Sequence, residues 1–533
     1  MAVPLLGVLS SAAAAALHAQ AWSALWQDPQ LPAALAMTLW TGLAATALSV
    51  ALAALMLSLT FPGPRWQRVM NMLAPMLAVP HAAFAIGLAF LVAPSGWLLR
   101  ALSPWATGFD APPAWPTTQD PWGLGLMAVL VAKEVPFLLW AAATQLQRAD
   151  TAARWARELD VATSMGYAPR TAWWRVVWPQ LWPRLSGPLL AVLAYSLTVV
   201  DMALVIGPTT PPTLAVLAWQ WLLYADATIN AQGAAAAWLL AFVVAVLAGA
   251  LWALPGMVRW RGRWTCGHRG TSSRVLNSSP MVLVTLAALP AIYLAVMLAL
   301  AIGSVAGVWP FPHLVPDRFS WQGWQSVAAS ANTVSVTCTL ALISSLTALA
   351  WSVAWLEYAP PHRDAQLRRL IYLPLLLPSV LWVVGLHRLS LAWGIDGRWP
   401  GLWLAHSLAA TPYVLIALSP AYLSFDTRYA QIAASLQKSR WRFLVQIKWP
   451  LLKASLSAAL AVGFAVSVAQ YLPTLFVGAG RFVTVTTEAV TLASGAQRSL
   501  TAAYAWLQWL LPALMFAAAA WAGRPRHFHR ATA

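Results

Sequence analysis

Residues 35–61 have the sequence LAMTLWTGLAATALSVALAALMLSLTF, an apolar run without a single charged side chain. A helix of about 20 predominantly apolar residues crosses the ~30 Å hydrocarbon core of a bilayer. The run therefore predicts a transmembrane helix.

The rest of the chain repeats this pattern. Further apolar runs occupy residues 72–92, 122–144, 186–206, 233–254, 281–308, 331–356, 370–393, 402–423, 454–476 and 501–522, and a shorter alanine-rich run occupies residues 2–17. Of the 533 residues, 60% are hydrophobic and 9% are charged, whereas soluble domains carry about 25% charged residues. We therefore expect an all-α polytopic membrane protein with about twelve transmembrane helices.

The net charge of +17 first suggests a nucleic-acid partner, but the position of the basic residues excludes it. Of the 32 Lys and Arg residues, 25 fall in alternate inter-span segments and the C-terminal tail, and five fall on the opposite side. This asymmetry is the positive-inside pattern of membrane proteins. We therefore expect the basic loops to lie in the cytoplasm. Their positive charge predicts contact with membrane lipid and not with nucleic acid.

The chain contains an internal repeat. Prolines and glycines recur in matching contexts at offsets of 298, 276 and 271 residues, namely Pro80 with Pro378, Gly87 with Gly385, Pro136 with Pro412, and Pro179 with Pro450. We predict a first repeat at 1–257, a basic linker at 258–279, a second repeat at 280–524 and a basic tail at 525–533. An even number of spans in each repeat makes the two parallel, related by an axis along the membrane normal.

Each repeat has one long loop that combines a helical stretch with a basic amphipathic run ending at a proline. The first includes DVATSMGYAPRTAWWRVVWP, residues 160–179, and the second includes QIAASLQKSRWRFLVQIKWP, residues 431–450. The alternative is an ordinary loop that holds Trp and Arg side chains at the membrane interface. The matching positions of the two loops favour a shared function.

These loops resemble the EAA loop of ATP-binding-cassette importer permeases, whose pattern is roughly E-A-A-x3-G followed by I-x-L-P. Asp160 and Gly166 stand at the first and last positions of the E-A-A-x3-G pattern in the first copy, and Gln431 and Gln437 stand there in the second. The resemblance covers nearly the whole chain as two fused permease units, similar to ferric-iron and thiamine permeases. The stretches GAGRFVTVTTEAVTLASG and YLPTLF are most like YnjC-type members.

The resemblance implies the type I importer permease fold and a bacterial inner-membrane location. It also implies two copies of a cytoplasmic P-loop ATPase and a soluble substrate-binding protein as partners. The loop residues it assigns to ATPase coupling are Glu158, Asp160, Ala162, Gly166, Pro179, Gln431, Ala433, Gln437 and Pro450. Because Gln431 lacks the charge and Gln437 the glycine, we expect the first loop to couple more strongly.

The chain itself shows no sign of catalysis. A P-loop needs a Lys after a Gly, and none of the four lysines follows one. We expect no catalytic residue, no metal ligand and no cofactor in this chain, with ATP and Mg²⁺ held by the ATPase. Cys266 and Cys338 are too few for a disulfide framework or a zinc site. A twelve-helix secondary transporter is the alternative, although it needs no long loop in each half.

Ionisable and polar residues within spans are candidates for the translocation path. This set comprises Lys133, Glu134, Pro136, Ser196, Asp201, Pro412 and Ser467. Structural pairing with neighbouring spans is an equal alternative for Lys133 and Glu134, and the favoured interpretation for His387 and Arg388. On the outer side, Arg481 and Glu488 are candidates for docking the binding protein, with an ordinary solvated loop as the alternative.

Overall fold

The computed structural model describes residues 2–15, 17–63, 65–146, 149–264, 280–359, 371–495 and 497–524. All regular secondary structure in this part of the chain is helical, with two isolated β-bridges and no strand. The predicted all-α class is confirmed.

The helices up to residue 264 alternate long apolar segments with short ones. They are α1 (Ala2–Ala15), α2 (Ala19–Gln27), α3 (Leu31–Thr60), α4 (Arg65–Ala78), α5 (His81–Val92), α6 (Trp97–Leu102), α7 (Leu124–Leu146), α8 (Ala149–Ser164), α9 (Pro169–Ala172), α10 (Trp178–Leu181), α11 (Ser186–Thr198), α12 (Asp201–Ile206), α13 (Leu214–Leu222) and α14 (Ala227–Trp264).

The helices after residue 279 follow a similar order of lengths. They are α15 (Pro280–Ser304), α16 (Gln322–Ala329), α17 (Ala331–Tyr358), α18 (Ser379–Ala392), α19 (Trp399–Leu423), α20 (Arg428–Ser435), α21 (Arg440–Phe443), α22 (Trp449–Leu451), α23 (Lys453–Val468), α24 (Leu472–Val477), α25 (Val485–Ala493) and α26 (Arg498–Ala522).

Eight helical segments in the described residues are long and apolar enough to cross a membrane, and two bent helix pairs raise this to ten. One bent pair is α1 with α2, at 63°, and the other joins the segment Arg440–Leu451 to α23 at 80°. Multiple membrane spans are therefore confirmed, whereas the predicted number of twelve stays a prediction.

Four of the predicted continuous spans are interrupted, which corrects the sequence-based boundaries. Residues 72–92 break between α4 and α5, where Pro80 has extended backbone angles, and residues 370–393 contain the same break before α18, at Pro378. Proline cannot donate the next helical hydrogen bond and biases the residue before it away from helix. Residues 186–206 break at Val199, and residues 454–476 break between α23 and α24.

The first helix of each predicted repeat packs against the other repeat at a glycine. A Cβ on Gly87 in α5 would lie 2.6 Å from Val296 Cγ1 in α15, and a Cβ on Gly385 in α18 would collide with the backbone oxygen of Val8 in α1. Glycine permits such close backbone approach. The paired glycines thus make equivalent contacts with the first helix of the other half.

The predicted repeat boundaries stay predictions. Helix α14 continues to Trp264, so the start of the predicted linker at 258–279 is helical. Residues 265–279 and the predicted tail at 525–533 lie outside the described residues.

Candidate functional site: a central cavity and two matched loops

The four helix breaks meet around a cavity of about 420 Å³. Its lining includes residues 77–82 and 198–201 from the first half, and Leu377, Ser379 and residues 469–473 from the second. Non-helical backbone at membrane depth is tolerated where it is buried in protein or lines a water-filled cavity. The breaks therefore have a common explanation, because each one contributes to the wall of this space.

Polar side chains line the cavity from both halves. The rings of His81 and Tyr195 pack at its wall, tilted 56° to each other with centroids 5.0 Å apart, and Asp201 at the start of α12 lines the same wall. Ser379 Oγ donates a hydrogen bond of 3.3 Å to the backbone oxygen of Thr198, which joins the two halves across the breaks.

Gln508 contributes an unused acceptor to the same cavity. The side chain is 1% exposed, and its Nε2 donates to Thr486 Oγ1 at 2.9 Å. Its Oε1 has no hydrogen-bond partner within the described part of the chain. A buried polar atom without a partner costs free energy, so a hydrogen bond donated to this oxygen would be stabilising.

Lys133 and Glu134 are buried in α7 but do not line the cavity. Lys133 Nζ donates to the backbone oxygens of Val79, at 2.6 Å, and Met76, at 3.3 Å, and so caps the broken end of α4. It also lies 5.5 Å from the ring centre of Tyr293 in α15. The geometry thus gives Lys133 structural partners at the edge of the cavity.

Among the other candidates for the path, Asp201 alone lines the cavity. Pro136 and Pro412 lie inside α7 and α19, and Ser196 is buried without a hydroxyl partner in the described residues. Ser467 Oγ lies 2.8 Å from Nδ1 of buried His406. Their assignment to the path stays a prediction.

His387 and Arg388 in α18, which we interpret as structural, lie outside the cavity lining, as most of the path candidates do. His387 Nε2 lies 3.6 Å from Asp396 Oδ1, and neither His387 nor Arg388 lines the cavity. The structural interpretation of His387 and Arg388 stays a prediction.

The two loops have the same turn after their first helix. Tyr167 N donates to Ala162 O at 3.1 Å in the first loop, and Lys438 N donates to Ala433 O at 3.0 Å in the second. These are the six-to-one hydrogen bonds of a Schellman motif, which needs a left-handed residue just after the helix. Gly166 provides it with φ +85°, and Gln437 adopts the same region with φ +53°.

The segments after the turns also match. A five-residue π-helix spans Trp173–Val177 in the first loop and Leu444–Lys448 in the second, and each is followed at once by Trp-Pro, at Pro179 and Pro450. Single-turn π-helices occur frequently at functional sites. The second loop thus has the same turn and the same π-helix as the first, although Gln437 stands where the first loop has a glycine.

The helices of the two loops differ in length and bracing. Helix α8 has 16 residues and α20 has eight, and both Asp160 and Gln431 are exposed on them. Glu158 Oε2 accepts from Gln180 Nε2 at 2.7 Å, and Gln180 Oε1 accepts from the indole of Trp155 at 2.9 Å. Glu158 is thus an internal brace of the first loop.

The predicted docking residues lie on and before α25. Arg481 is exposed, and Glu488 is half-buried in the first turn of α25, where burial raises the pKa of its carboxyl above the ordinary range. Helices α3 and α17 hold α13 and α25 in the same way. Thr38 Oγ1 in α3 accepts from Leu214 N at 2.7 Å, and Thr337 Oγ1 in α17 accepts from Val485 N at 2.9 Å.

Two charged residues that the sequence analysis left unassigned have dense networks. Arg100 is 4% exposed and donates to the backbone oxygens of Ser95, Trp309, Pro310 and His313, which ties α6 to the second half. Glu357, at the end of α17, binds two basic side chains. Neither lies in a local motif, so the sequence offered no signal.

No cluster of three or more potential metal ligands occurs among the described residues.

Comparison with known proteins places the chain among transport proteins. It is 36% identical over 535 residues to the inner membrane ABC transporter permease protein YnjC of Escherichia coli strain K12, covering 98% of this chain and 95% of that protein. It is 28% identical over 155 residues to the molybdenum transport system permease protein ModB of Haemophilus influenzae, covering 25% of this chain and 66% of that protein. No family model matches the chain.

Proposed function

The chain belongs to the family of ABC transporter permeases, and from this premise we propose that it is the membrane subunit of a binding-protein-dependent importer. It is a multi-pass inner-membrane protein. In the proposed cycle, a soluble binding protein delivers a small solute at the outer face. Two copies of a separate P-loop ATPase bind ATP and Mg²⁺ at the cytoplasmic face and drive the solute inward.

The observation that carries this proposal is the matched geometry of the two loops. Two copies of one ATPase need two similar surfaces on the permease. The turns at Gly166 and Gln437 and the π-helices after them supply such surfaces, with exposed Asp160 and Gln431 on the helices that precede the turns. The surplus of basic residues in these loops supports a cytoplasmic position, because Lys and Arg accumulate on that side.

The central cavity is the proposed route of the solute. Parallel repeats carry transport sites near the bilayer midplane, between the repeats and at discontinuous helices. Closure of the ATPases would pull the loops together and re-orient the helices that meet at the four breaks. Because a ligand shifts an equilibrium only by its differential affinity for two states, the loaded binding protein must favour the outward-open form.

The alternative of a secondary transporter loses support. Such a protein would couple transport to ions inside the membrane, and it would have no need for two matched loops that end in π-helices. Membership of the ABC permease family favours the importer.

Co-purification tests the proposal directly. The tagged chain is purified in mild detergent from its native cells, and the bound proteins are identified and counted. We expect a P-loop ATPase at two copies per chain. Asp160→Ala should reduce ATPase recovery, whereas the control Arg481→Ala, on the opposite side, should retain it. A chain recovered alone, together with solute uptake that does not depend on ATP, would contradict the proposal.

A further inference from the structure

Glu357 is a buried carboxylate at the end of α17 that carries an ionic network. Its side chain is 8% exposed, and Oε1 lies 2.5 Å from Lys448 Nζ. Oε2 lies 3.1 Å from Arg440 Nη2. The hydroxyl of Tyr422 also donates to Oε1, at 2.7 Å. One carboxylate therefore holds two cations and a phenol.

The partners of Glu357 come from two different parts of the structure. Arg440 begins α21 and Lys448 ends the π-helix, so both belong to the second loop, whereas Tyr422 lies near the end of α19. The indole of Trp449 donates to the Tyr422 hydroxyl at 3.2 Å. The network thus fastens the second loop to the ends of α17 and α19.

Secondary contacts strengthen the same junction. Lys448 Nζ lies 3.9 Å from the ring centre of Tyr422, and the guanidinium of Arg440 lies 4.8 Å from that of Tyr358. Arg440 Nη2 also donates to the backbone oxygen of Glu357 at 2.7 Å. Cations over aromatic faces gain electrostatic attraction beyond their ion pairs.

The first half has no such network at the matching positions. Thr38 in α3 and Thr337 in α17 make equivalent hydrogen bonds and are 299 residues apart, which places Ser58 where the second half has Glu357. The offsets of 276 and 271 place Leu146, Pro169 and Val177 where the second half has Tyr422, Arg440 and Lys448. Leu146 and Val177 are buried instead in an apolar cluster that also contains Trp155. At these positions the first loop therefore has apolar packing alone, whereas the second loop adds an ionic network to the apolar packing of residues such as Trp449.

The two kinds of attachment respond differently to a single substitution. Loss of one partner from a buried ion pair leaves an uncompensated buried charge, so the remaining groups must separate or hydrate. Apolar packing is non-directional and spread over many contacts. We propose that Glu357 is the positioning residue that anchors the second loop to α17 and α19, so that this loop drives the membrane helices through an ionic link. The anchoring stands on the contacts alone, whereas the driving role rests on the proposed function.

Spin-label distances test the anchor in the full-length chain, with Cys266 and Cys338 replaced by serine. One labelled pair joins exposed Ser435 on α20 to exposed Ala350 on α17. The matched control pair joins Ser164 on α8 to Ala51 on α3, at the corresponding positions of the first half. Glu357→Gln should broaden the second-loop distance distribution and shift it to longer distance, while the first-loop pair keeps its wild-type distribution.

Arg440→Gln provides a milder variant in case Glu357→Gln fails to fold. The Arg440 side chain is 59% exposed, and Lys448 remains paired with Glu357 in this variant. We expect a smaller shift in the same direction. Wild-type distances at the second loop in either folded variant would overturn the proposal, as would equal shifts at both loops.

A second measurement separates the anchor from the proposed function. The same distances are recorded with the co-purified ATPase, before and after addition of ATP. We expect ATP to change both distances in the wild type and to change only the first-loop distance in Glu357→Gln. If ATP changes neither distance in the wild type, the proposed coupling fails while the anchor stands. If the variant keeps both changes, the ionic link is refuted.

Discussion

The turn after the second loop's helix can be strengthened by one substitution, because Gln437 occupies a left-handed position that its counterpart Gly166 fills with glycine. In the left-handed region the Cβ of a residue lies too close to the carbonyl oxygen that follows it. Replacing Gln437 with glycine removes this contact. The resulting change in stability is local to the turn and to the six-to-one hydrogen bond from Lys438 N to Ala433 O.

The size of the effect follows from two opposing costs. A residue other than glycine in the left-handed region costs roughly 1–2 kcal/mol. Glycine loses more conformational entropy on folding, which offsets roughly 0.5–1 kcal/mol of that gain. Gln437→Gly should therefore stabilise the turn by about 1 kcal/mol. Gly166→Gln should cost more than this, because its φ of +85° lies further from the left-handed minimum near +57° than the +53° of Gln437.

Amide hydrogen exchange measures this local free energy. A change of 1 kcal/mol alters the open population of a locally opening segment about fivefold. The Lys438 amide should exchange about fivefold more slowly in Gln437→Gly, and the Tyr167 amide should exchange at least fivefold faster in Gly166→Gln. Gln437→Ala is the matched control, because alanine keeps the Cβ and should give no added protection.

Two results would refute this reasoning. The first is unchanged or faster exchange of the Lys438 amide in Gln437→Gly. The second is equal protection in the glycine and alanine variants, which would show that the Cβ at this position carries no cost.

Three further substitutions test other parts of the structure. Lys133→Met leaves two buried backbone oxygens without their donor and should cost about 1–3 kcal/mol, seen as a lower thermal midpoint of the purified protein; an unchanged midpoint would contradict the capping role. Gly385→Ala forces a methyl group into the backbone of α1 and should also lower the midpoint, by an overpacking cost of about 1–3 kcal/mol, whereas Gly249→Ala has open space around it and should not. Asp160→Ala should lower uptake far more than Gln431→Ala, and comparable losses would disprove the expected dominance of the first loop.

The sequence predicted the features that depend on local pattern. Apolar runs locate most of the membrane helices, and the repeated prolines and glycines located the two loops whose backbones match. Gly87 and Gly385 occupy equivalent positions in the predicted repeat, and each one approaches the first helix of the other half closely.

The breaks within predicted spans escaped hydropathy because the runs remain apolar through them. Pro80 and Pro378 carry a visible signal that we used only as a marker of the repeat, and the break at Val199 has no proline at all. The break at Val199 depends on tertiary structure, because the residues at the break line a cavity that is built by four segments far apart in the chain.

The ionic network around Glu357 could not be predicted from the sequence for a different reason. Its cations lie 83 and 91 residues away, so no spacing rule connects them. The missing glycine at Gln437 led us to expect weaker coupling by the second loop, which stays a prediction. The backbone keeps the turn, with the left-handed conformation confined to one residue.

Photo-cross-linking from the two loops tests the central claim most directly. A photoreactive residue is placed at exposed Ser164, at exposed Ser435 or, as a control on the opposite side, at Arg481, and the adducts formed in native cells are identified. The account predicts that Ser164 and Ser435 cross-link to the same P-loop ATPase and that Arg481 does not. Adducts with no ATPase from either loop, or an ATPase adduct from Arg481 alone, would contradict it.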